Sequence, residues 1–211
     1  FSRKSIDYFL YPENFYLKNK NVFTTVTYSG KLSDSWNIYA GIAYSYNKDI
    51  IRQFNGFSDS AFNDFAPRLE NSILQGRFTV TKKFSGLTKL NSGLEYQYSK
   101  DGVFAQDSIP KIKISDDFIA FYTEADIYYT SKLVSRTGIR AEYSALLKRS
   151  VISPRISLAY KLTNQSQVSF AFGNFYQKPE IFYLFRKKEL DFTKATHYIL
   201  NFQSITTTQT L

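Results

Sequence analysis

The stretch Ile152–Phe175, which reads ISPRISLAYKLTNQSQVSFAFGNF, decides the fold. Each half alternates apolar residues with small or charged ones, and a polar connector at 163–166 joins the halves. A period of two places successive side chains on opposite faces of a strand. The segment therefore predicts an antiparallel hairpin with one aromatic face and one small or charged face. We group Val168, Phe170, Phe172 and Phe175 as the apolar set of its second strand.

Composition narrows the class of protein. The 211 residues suit one large domain, and they include 17 Tyr, 20 Phe and no Cys. Without Cys, disulfides, thiolate metal sites and Cys nucleophiles are excluded. The formal net charge of +9 suits an anionic partner. No run approaches the ~18 apolar residues of a membrane helix, whereas the strands of a membrane barrel give only a weak hydropathy signal.

The same alternation recurs along most of the chain and predicts an all-β, antiparallel up-and-down meander of about nine strands. Tight turns such as 131–132 alternate with long connections such as 47–67 and 100–117. Alternate connections of a meander lie at the same end, so the long loops gather at one end. This asymmetry is typical of outer-membrane barrels and not of soluble sandwiches. Residues 1–19 are expected to be a loop or the approach to a strand. The predicted strands are 22–28, 36–46, 70–84, 89–99, 118–130, 133–146, the two halves of the hairpin and a last strand that begins near Thr196.

Charged residues fall on the face opposite the apolar stripe. A Lys or Arg that faces lipid near the midplane costs ~2–4 kcal/mol, so this face must meet water or another polar surface. A half-exposed soluble sheet also explains the alternation, but it does not explain how the loops are sorted. The predicted lumen-facing charges are Arg77, Glu95, Glu124, Asp126, Arg136, Arg140, Glu142 and Arg155, with room made by Gly41, Gly93, Gly138 and Gly173.

The hairpin and the residues after it carry a motif. Ser-Pro-Arg at 153–155 begins it, Gly-Asn-Phe-Tyr-Gln follows at 173–177, Pro-Glu at 179–180 and Ala-Thr-His-Tyr at 195–198. This pattern resembles the barrel of TonB-dependent outer-membrane receptors, especially those of Bacteroidota. The remaining chain is compatible with that family only in its general pattern of alternating strands and loops.

The resemblance implies a 22-stranded barrel, occluded by an N-terminal plug and coupled by a TonB box to the energised inner membrane. It implies a location in the bacterial outer membrane and no covalent chemistry, so neither an enzyme nor a cofactor is expected. The implied ligand is a scarce nutrient: a ferric siderophore, haem, cobalamin, a glycan or a peptide. The implied partners are the plug domain, TonB, outer-membrane lipid, lipopolysaccharide and a surface lipoprotein.

Residues 1–211 contain no plug-like α/β segment and no TonB box. About nine strands cannot close such a barrel, and an open sheet edge is not tolerated in lipid. We therefore expect residues 1–211 to be a fragment of one barrel domain, from its middle or later part. Such a fragment is not expected to transport anything by itself.

Candidate ligand contacts follow from topology, because a ligand would meet inward residues near the external rim. A basic loop would meet lipopolysaccharide phosphates or an anionic ligand, although such a run is also typical of a solvated loop. The predicted ligand contacts are Tyr122, Glu142, Arg155, Asn174 and Tyr176, and the basic loop residues are Lys178, Arg186, Lys187 and Lys188.

Two other functions stay open. A passive porin-like channel would have the same wall without a plug. An outer-membrane barrel hydrolase would need His197, the sole histidine, beside a Ser nucleophile, and no spacing singles out such a Ser. One histidine without Cys rules out His-pair and thiolate metal sites. Asp101, Asp107, Asp116 and Asp117 could hold Ca²⁺, but their spacing is not that of an EF-hand loop, so no metal is expected. Nucleic acid is not expected as a partner either. A protein groove that binds nucleic acid needs charged and aromatic residues on one surface, whereas here they are predicted on opposite faces.

Overall fold

The computed structural model describes residues 13–55, 68–84, 88–104, 112–180, 183–184 and 189–205. These residues form one antiparallel sheet of nine strands, in which the spatial order is the chain order. The predicted all-β meander is confirmed. The strands are β1 Glu13–Ser33, β2 Trp36–Asn55, β3 Arg68–Lys83, β4 Lys89–Phe104, β5 Ile112–Tyr128, β6 Leu133–Ser144, β7 Arg149–Lys161, β8 Ser166–Gln177 and β9 Thr193–Ser204.

Several strands are longer than the sequence predicts. β1 begins at Glu13, inside the stretch expected to be a loop or strand approach, and β2 runs on to Asn55. Polar residues made these extensions look like connections, but the same side chains pair across the strands. Asn19 Nδ2, for example, donates to Asn47 Oδ1 at 2.7 Å.

The three longest connections lie at one end of the strands as predicted, whereas residues 145–148 at that end number four, no more than 129–132 and 162–165 at the other end. At that other end, residues 34–35 connect β1 to β2, 84–88 connect β3 to β4, 129–132 connect β5 to β6 and 162–165 connect β7 to β8. Backbone hydrogen bonds close the last three of these connections, as in the 2.9 Å bond from Leu162 N to Ser166 O. The end with the longest connections carries residues 56–67, 105–111, 145–148 and 178–192, and we call it the long-loop end.

Apolar side chains are mostly uncovered in this chain. Val26, Ile42 and Leu200 are 71%, 63% and 78% exposed. Among the described residues, the buried apolar side chains are few: Ala120, Leu147 and Leu184. The sheet therefore presents an apolar face that nothing in the described chain covers, which suits contact with lipid.

Contacts group the chain into two compact units. One comprises 1–26, 42–75 and 97–117, and the other comprises 27–41, 76–96 and 118–211. Each cluster described below lies within a single unit. Within the described part of the chain, no helix has the length and apolar character needed to cross a bilayer.

Candidate functional site

A chain of ion pairs runs across the charged face of β3, β4 and β6. Arg77 Nη2 lies 2.6 Å from one carboxylate oxygen of Glu95, and Arg140 Nη2 lies 2.7 Å from the other. Arg140 Nε also donates to Glu142 Oε1 at 2.7 Å. Because the Arg140 side chain is only 18% exposed and joins two carboxylates, it is the centre of this network. These four side chains therefore lie together on one side of the sheet.

Tyr122 is packed into the same network. Its ring occupies the space over Gly93, where a Cβ atom would collide with it. Its hydroxyl shares a 2.8 Å hydrogen bond with Thr79 Oγ1. The guanidinium carbons of Arg77 and Arg140 lie 5.8 and 5.9 Å from the ring centroid, within the range of cation–π contact. The cleft around it is lined by Arg77, Thr79, Asn91, Tyr122, Glu124, Arg140 and Arg155.

A second, separate pair stands nearer the tight turns. Arg136 Nε and Nη2 donate to the two oxygens of Asp126, at 2.6 and 3.2 Å. The two residues are direct partners in the β5–β6 register. In this bidentate geometry, Arg136 donates a hydrogen bond to each carboxylate oxygen of Asp126.

Arg155 differs from the other inward arginines because, in the part of the chain that is described, no carboxylate pairs with it. Its guanidinium carbon lies 4.6 Å from the centroid of the Phe175 ring, and the same ring packs against His197, at 4.8 Å between centroids. Arg155 Nε is buried and has no hydrogen-bond partner. Gly138 and Gly173 stand directly opposite Arg155 on its two neighbours. An arginine held by an aromatic ring keeps its N–H donors for an anionic group.

The predicted inward placement of Asn174 and Tyr176 is wrong. The β8–β9 pairing is continuous from Ser166 to Gln177, so side chains alternate strictly along β8. Phe175 lies on the charged face with Arg155, and Asn174 and Tyr176 therefore lie on the opposite, apolar face. There Asn174 Oδ1 accepts a 2.9 Å hydrogen bond from Thr196. The grouping of Phe175 with the apolar set fails for the same reason.

Of the four basic loop residues, Lys178 lies within the described part of the chain. Lys178 Nζ lies 4.9 Å from the centroid of the Phe118 ring, so it is held at the long-loop end of β5. Arg186, Lys187 and Lys188 fall outside the described residues. Within those residues, no group of three or more His, Asp or Glu side chains could hold a metal ion.

Sequence reasoning missed two features. One is the Phe175–His197 ring pair, which a strict period-two count from Ala171 would have placed inward. The other is a basic cluster around Phe104 on the apolar side of the sheet, which the sequence conceals because its cations come from four separate strands.

Comparisons with known proteins agree with this architecture. A family model for the TonB dependent receptor-like beta-barrel matches residues 2–209. The sequence has no significant match among curated proteins.

The fold also resembles solved receptors. Two mutants of the ferric enterobactin receptor PfeA from Pseudomonas aeruginosa align with TM-scores of 0.60 and 0.61 at 15% and 14% identity. Each alignment covers 82% of this chain and 27% of the receptor. The siderophore receptor PirA from Acinetobacter baumannii aligns with a TM-score of 0.53 at 16% identity, over 79% of this chain and 26% of that one.

This chain thus spans about a quarter of the length of these receptors. The family model, by contrast, accounts for nearly every residue, and the meander, the sorted loops and the two unlike faces are the features that such a barrel requires. The chain belongs to the TonB dependent receptor-like beta-barrel family.

Proposed function

We propose that this chain forms part of the wall of an outer-membrane receptor that takes up a scarce nutrient with energy supplied through TonB. The observation that carries the proposal is the family match over residues 2–209. The solved receptors of similar fold are named for ferric enterobactin and siderophores, which makes a ferric siderophore our first candidate ligand. Haem, cobalamin, a glycan or a peptide are the other candidates.

In this proposal the apolar face meets outer-membrane lipid and the charged face meets the lumen. The partners are then the plug domain, TonB, the nutrient, lipopolysaccharide and a surface lipoprotein. Because the chain spans about a quarter of its solved relatives, uptake is a property of the whole receptor. The external loops and lumen capture the ligand, and TonB then rearranges the plug, with no covalent chemistry.

Arg155, Tyr122 and Glu142 are the lumen contacts that we propose for the ligand. Arg155 is the strongest of the three, because it faces the cleft without a carboxylate partner among the described residues. Its unpaired donors suit a carboxylate, catecholate or phosphate on the ligand. Tyr122 and Glu142 are already engaged by Thr79 and Arg140, so Tyr122 would shape the cleft and Glu142 would act by holding Arg140 in place.

The test of uptake compares source cells with and without the gene, supplied with radiolabelled ferric siderophores. The proposal predicts that accumulation depends on the gene and stops when a protonophore collapses the inner-membrane gradient. Gene-dependent entry that continues with the protonophore would instead support the passive channel. Gene-dependent hydrolysis of lipid that is lost in His197→Ala would support the barrel hydrolase.

The Arg155→Gln variant tests the proposed contact. We expect it to weaken ligand binding roughly 10- to 100-fold, because hydrogen bonds to charged groups contribute about 1.5–3 kcal/mol. The measurement is equilibrium binding of the radiolabelled ligand to whole cells. Lys161→Gln is the matched control, since it removes a positive charge from the same strand and face at the tight-turn end. Equal loss in both variants, or no loss in Arg155→Gln, contradicts the contact.

A further inference from the structure

Four basic side chains from neighbouring strands gather at the long-loop end of the sheet, on its apolar side. They surround the ring of Phe104 and the carboxylate of Glu70. We call Lys48, Arg68, Lys100 and Lys113, together with Phe104 and Glu70, the outer basic cluster.

The alternation of each strand puts this cluster on the apolar face. On β2, Lys48 shares its face with Ile42 and Tyr44, which are 63% and 44% exposed. On β4, Lys100 and Phe104 share theirs with Tyr98. The cluster therefore continues the apolar face beyond its aromatic residues, towards the long loops.

Phe104 is the centre of the cluster. Its ring lies over Gly102, where an added Cβ would approach a ring carbon to 2.7 Å. The guanidinium carbon of Arg68 lies 4.4 Å from the ring centroid, and Lys113 Nζ lies 5.6 Å from it. The absence of a side chain at Gly102 thus leaves room for the Phe104 ring, which holds Arg68 and Lys113 close together.

Positive charge exceeds negative charge within the cluster. Glu70 serves both Lys48 at 3.5 Å and Arg68 at 3.2 Å, and a second carboxylate that lines the same cleft, Asp101, accepts a hydrogen bond from Asn71. Arg68 Nε is buried yet makes no aligned hydrogen bond. Lys100 and Lys113 are exposed, and neither has a carboxylate partner among the described residues. Four cations against the carboxylates of Glu70 and Asp101 leave a surplus of positive charge that an anion can neutralise.

The position of the surplus identifies the class of anion. If the apolar face meets lipid, then aromatic residues such as Tyr46 and Tyr98 mark its boundary, and the cluster lies just beyond them. This is the level of lipid head groups in the leaflet on the long-loop side. Basic residues at that level attract anionic head groups.

We infer that the outer basic cluster binds a phosphate of lipopolysaccharide, with Lys100 and Lys113 as the main contacts and Phe104 as the seat that holds Arg68 and Lys113 together. The inference rests on the proposed outer-membrane location of the receptor. It adds a lipid site on the outside of the barrel wall, distinct from the ligand contacts in the lumen.

The test uses the native protein, purified from its membrane and placed in nanodiscs. Wild type and Lys100→Gln/Lys113→Gln are compared for binding of lipid A with and without its phosphates. We expect wild type to prefer the phosphorylated lipid and the double variant to bind it on the order of tenfold more weakly. Lys82→Gln is the matched control, because Lys82 Nζ lies 4.7 Å from the Trp36 ring centroid at the tight-turn end.

Three outcomes overturn the inference: equal binding of both lipids by wild type, unchanged binding by the double variant, or equal loss in Lys82→Gln. Displacement of the lipid by inorganic phosphate alone would also overturn it, since the site would then be one for free anions. The location of the wild-type protein is measured first, in fractionated cells. Absence from the outer membrane contradicts the proposed function itself, whereas correct location without lipid selectivity contradicts only this inference.

Discussion

At the scale of single residues, close packing on the charged face depends on glycine. Gly93 has no side chain, and the Tyr122 ring uses the space that a Cβ would fill. Gly93→Ala should move that ring and disturb its hydrogen bond to Thr79, so we expect a loss of about 1–3 kcal/mol of unfolding free energy. The measurement is denaturant unfolding of the native protein in detergent.

Gly76→Ala is the matched control for this prediction. Nothing lies within 4 Å of the place where its Cβ would stand. We expect the substitution to be neutral or to stabilise by about 0.4–1 kcal/mol, because alanine reduces the entropy of the unfolded chain. Equal destabilisation by the two substitutions would show that the Tyr122 contact is not the cause.

The second prediction at this scale concerns the contribution of Arg140 to stability. Its removal in Arg140→Gln leaves Glu142 without its partner and Glu95 with Arg77 alone. Because the site is partly exposed, we expect a loss of about 1–3 kcal/mol, below the 3–5 kcal/mol of fully buried pairs. Unfolding in detergent again measures it.

The control for Arg140 is an ion pair in an exposed setting. Arg149 and Asp191 are 3.7 Å apart, with side chains 64% and 65% exposed. Surface pairs of this kind contribute about 0–1 kcal/mol, so Arg149→Gln should change stability little. The network has no special role if both substitutions cost the same.

At the scale of elements, the sequence predicts the number of strands, their order and the sorting of their connections. Those features follow from period-two alternation and from turn lengths, which are local. The ends of the strands do not, because polar residues such as Asn19 and Asn47 pair across strands beyond the apolar span. Local sequence also does not predict on which face a residue lies where the alternation of apolar and polar residues breaks. In β8 the aromatic residues change sides at Gly173–Phe175, while the backbone register continues without a bulge.

The candidate site was partly predictable for the same reason. Counting alternate residues placed Arg77, Glu95 and Arg140 on one face, but it could not show which of them pair. Arg155 has no carboxylate partner among the described residues because of how β6, β7 and β8 are aligned, and no single stretch of sequence encodes that alignment.

The assignment of faces makes a prediction for β7. Leu158 lies on the apolar face opposite Phe170, whereas Ala159 lies on the charged face. Leu158→Arg should destabilise the protein in lipid by about 2–4 kcal/mol, because it exposes a cation to the bilayer. Ala159→Arg should cost less, because it enters a cleft whose lining includes the polar side chains of Gln167 and Ser169, which can solvate the cation. The reverse order in a folding assay with lipid vesicles would contradict the assignment.

At the scale of the whole molecule, the two faces of the sheet require two different surroundings. Exposed Val26, Ile42 and Leu200 need an apolar environment, whereas the ion pairs around Arg140 need a polar one. A membrane barrel satisfies both conditions at once. The exposed apolar side chains and the clustered ion pairs therefore agree with the family match.

The most direct measurement is the location and heat-modifiability of the native protein. Source cells are fractionated, and the protein is followed with an antibody on gels run with and without boiling. The account predicts a band in the outer membrane whose mobility changes on heating, since closed barrels resist detergent until they are boiled. A soluble band with the same mobility under both conditions would contradict the membrane barrel, and with it the proposed uptake.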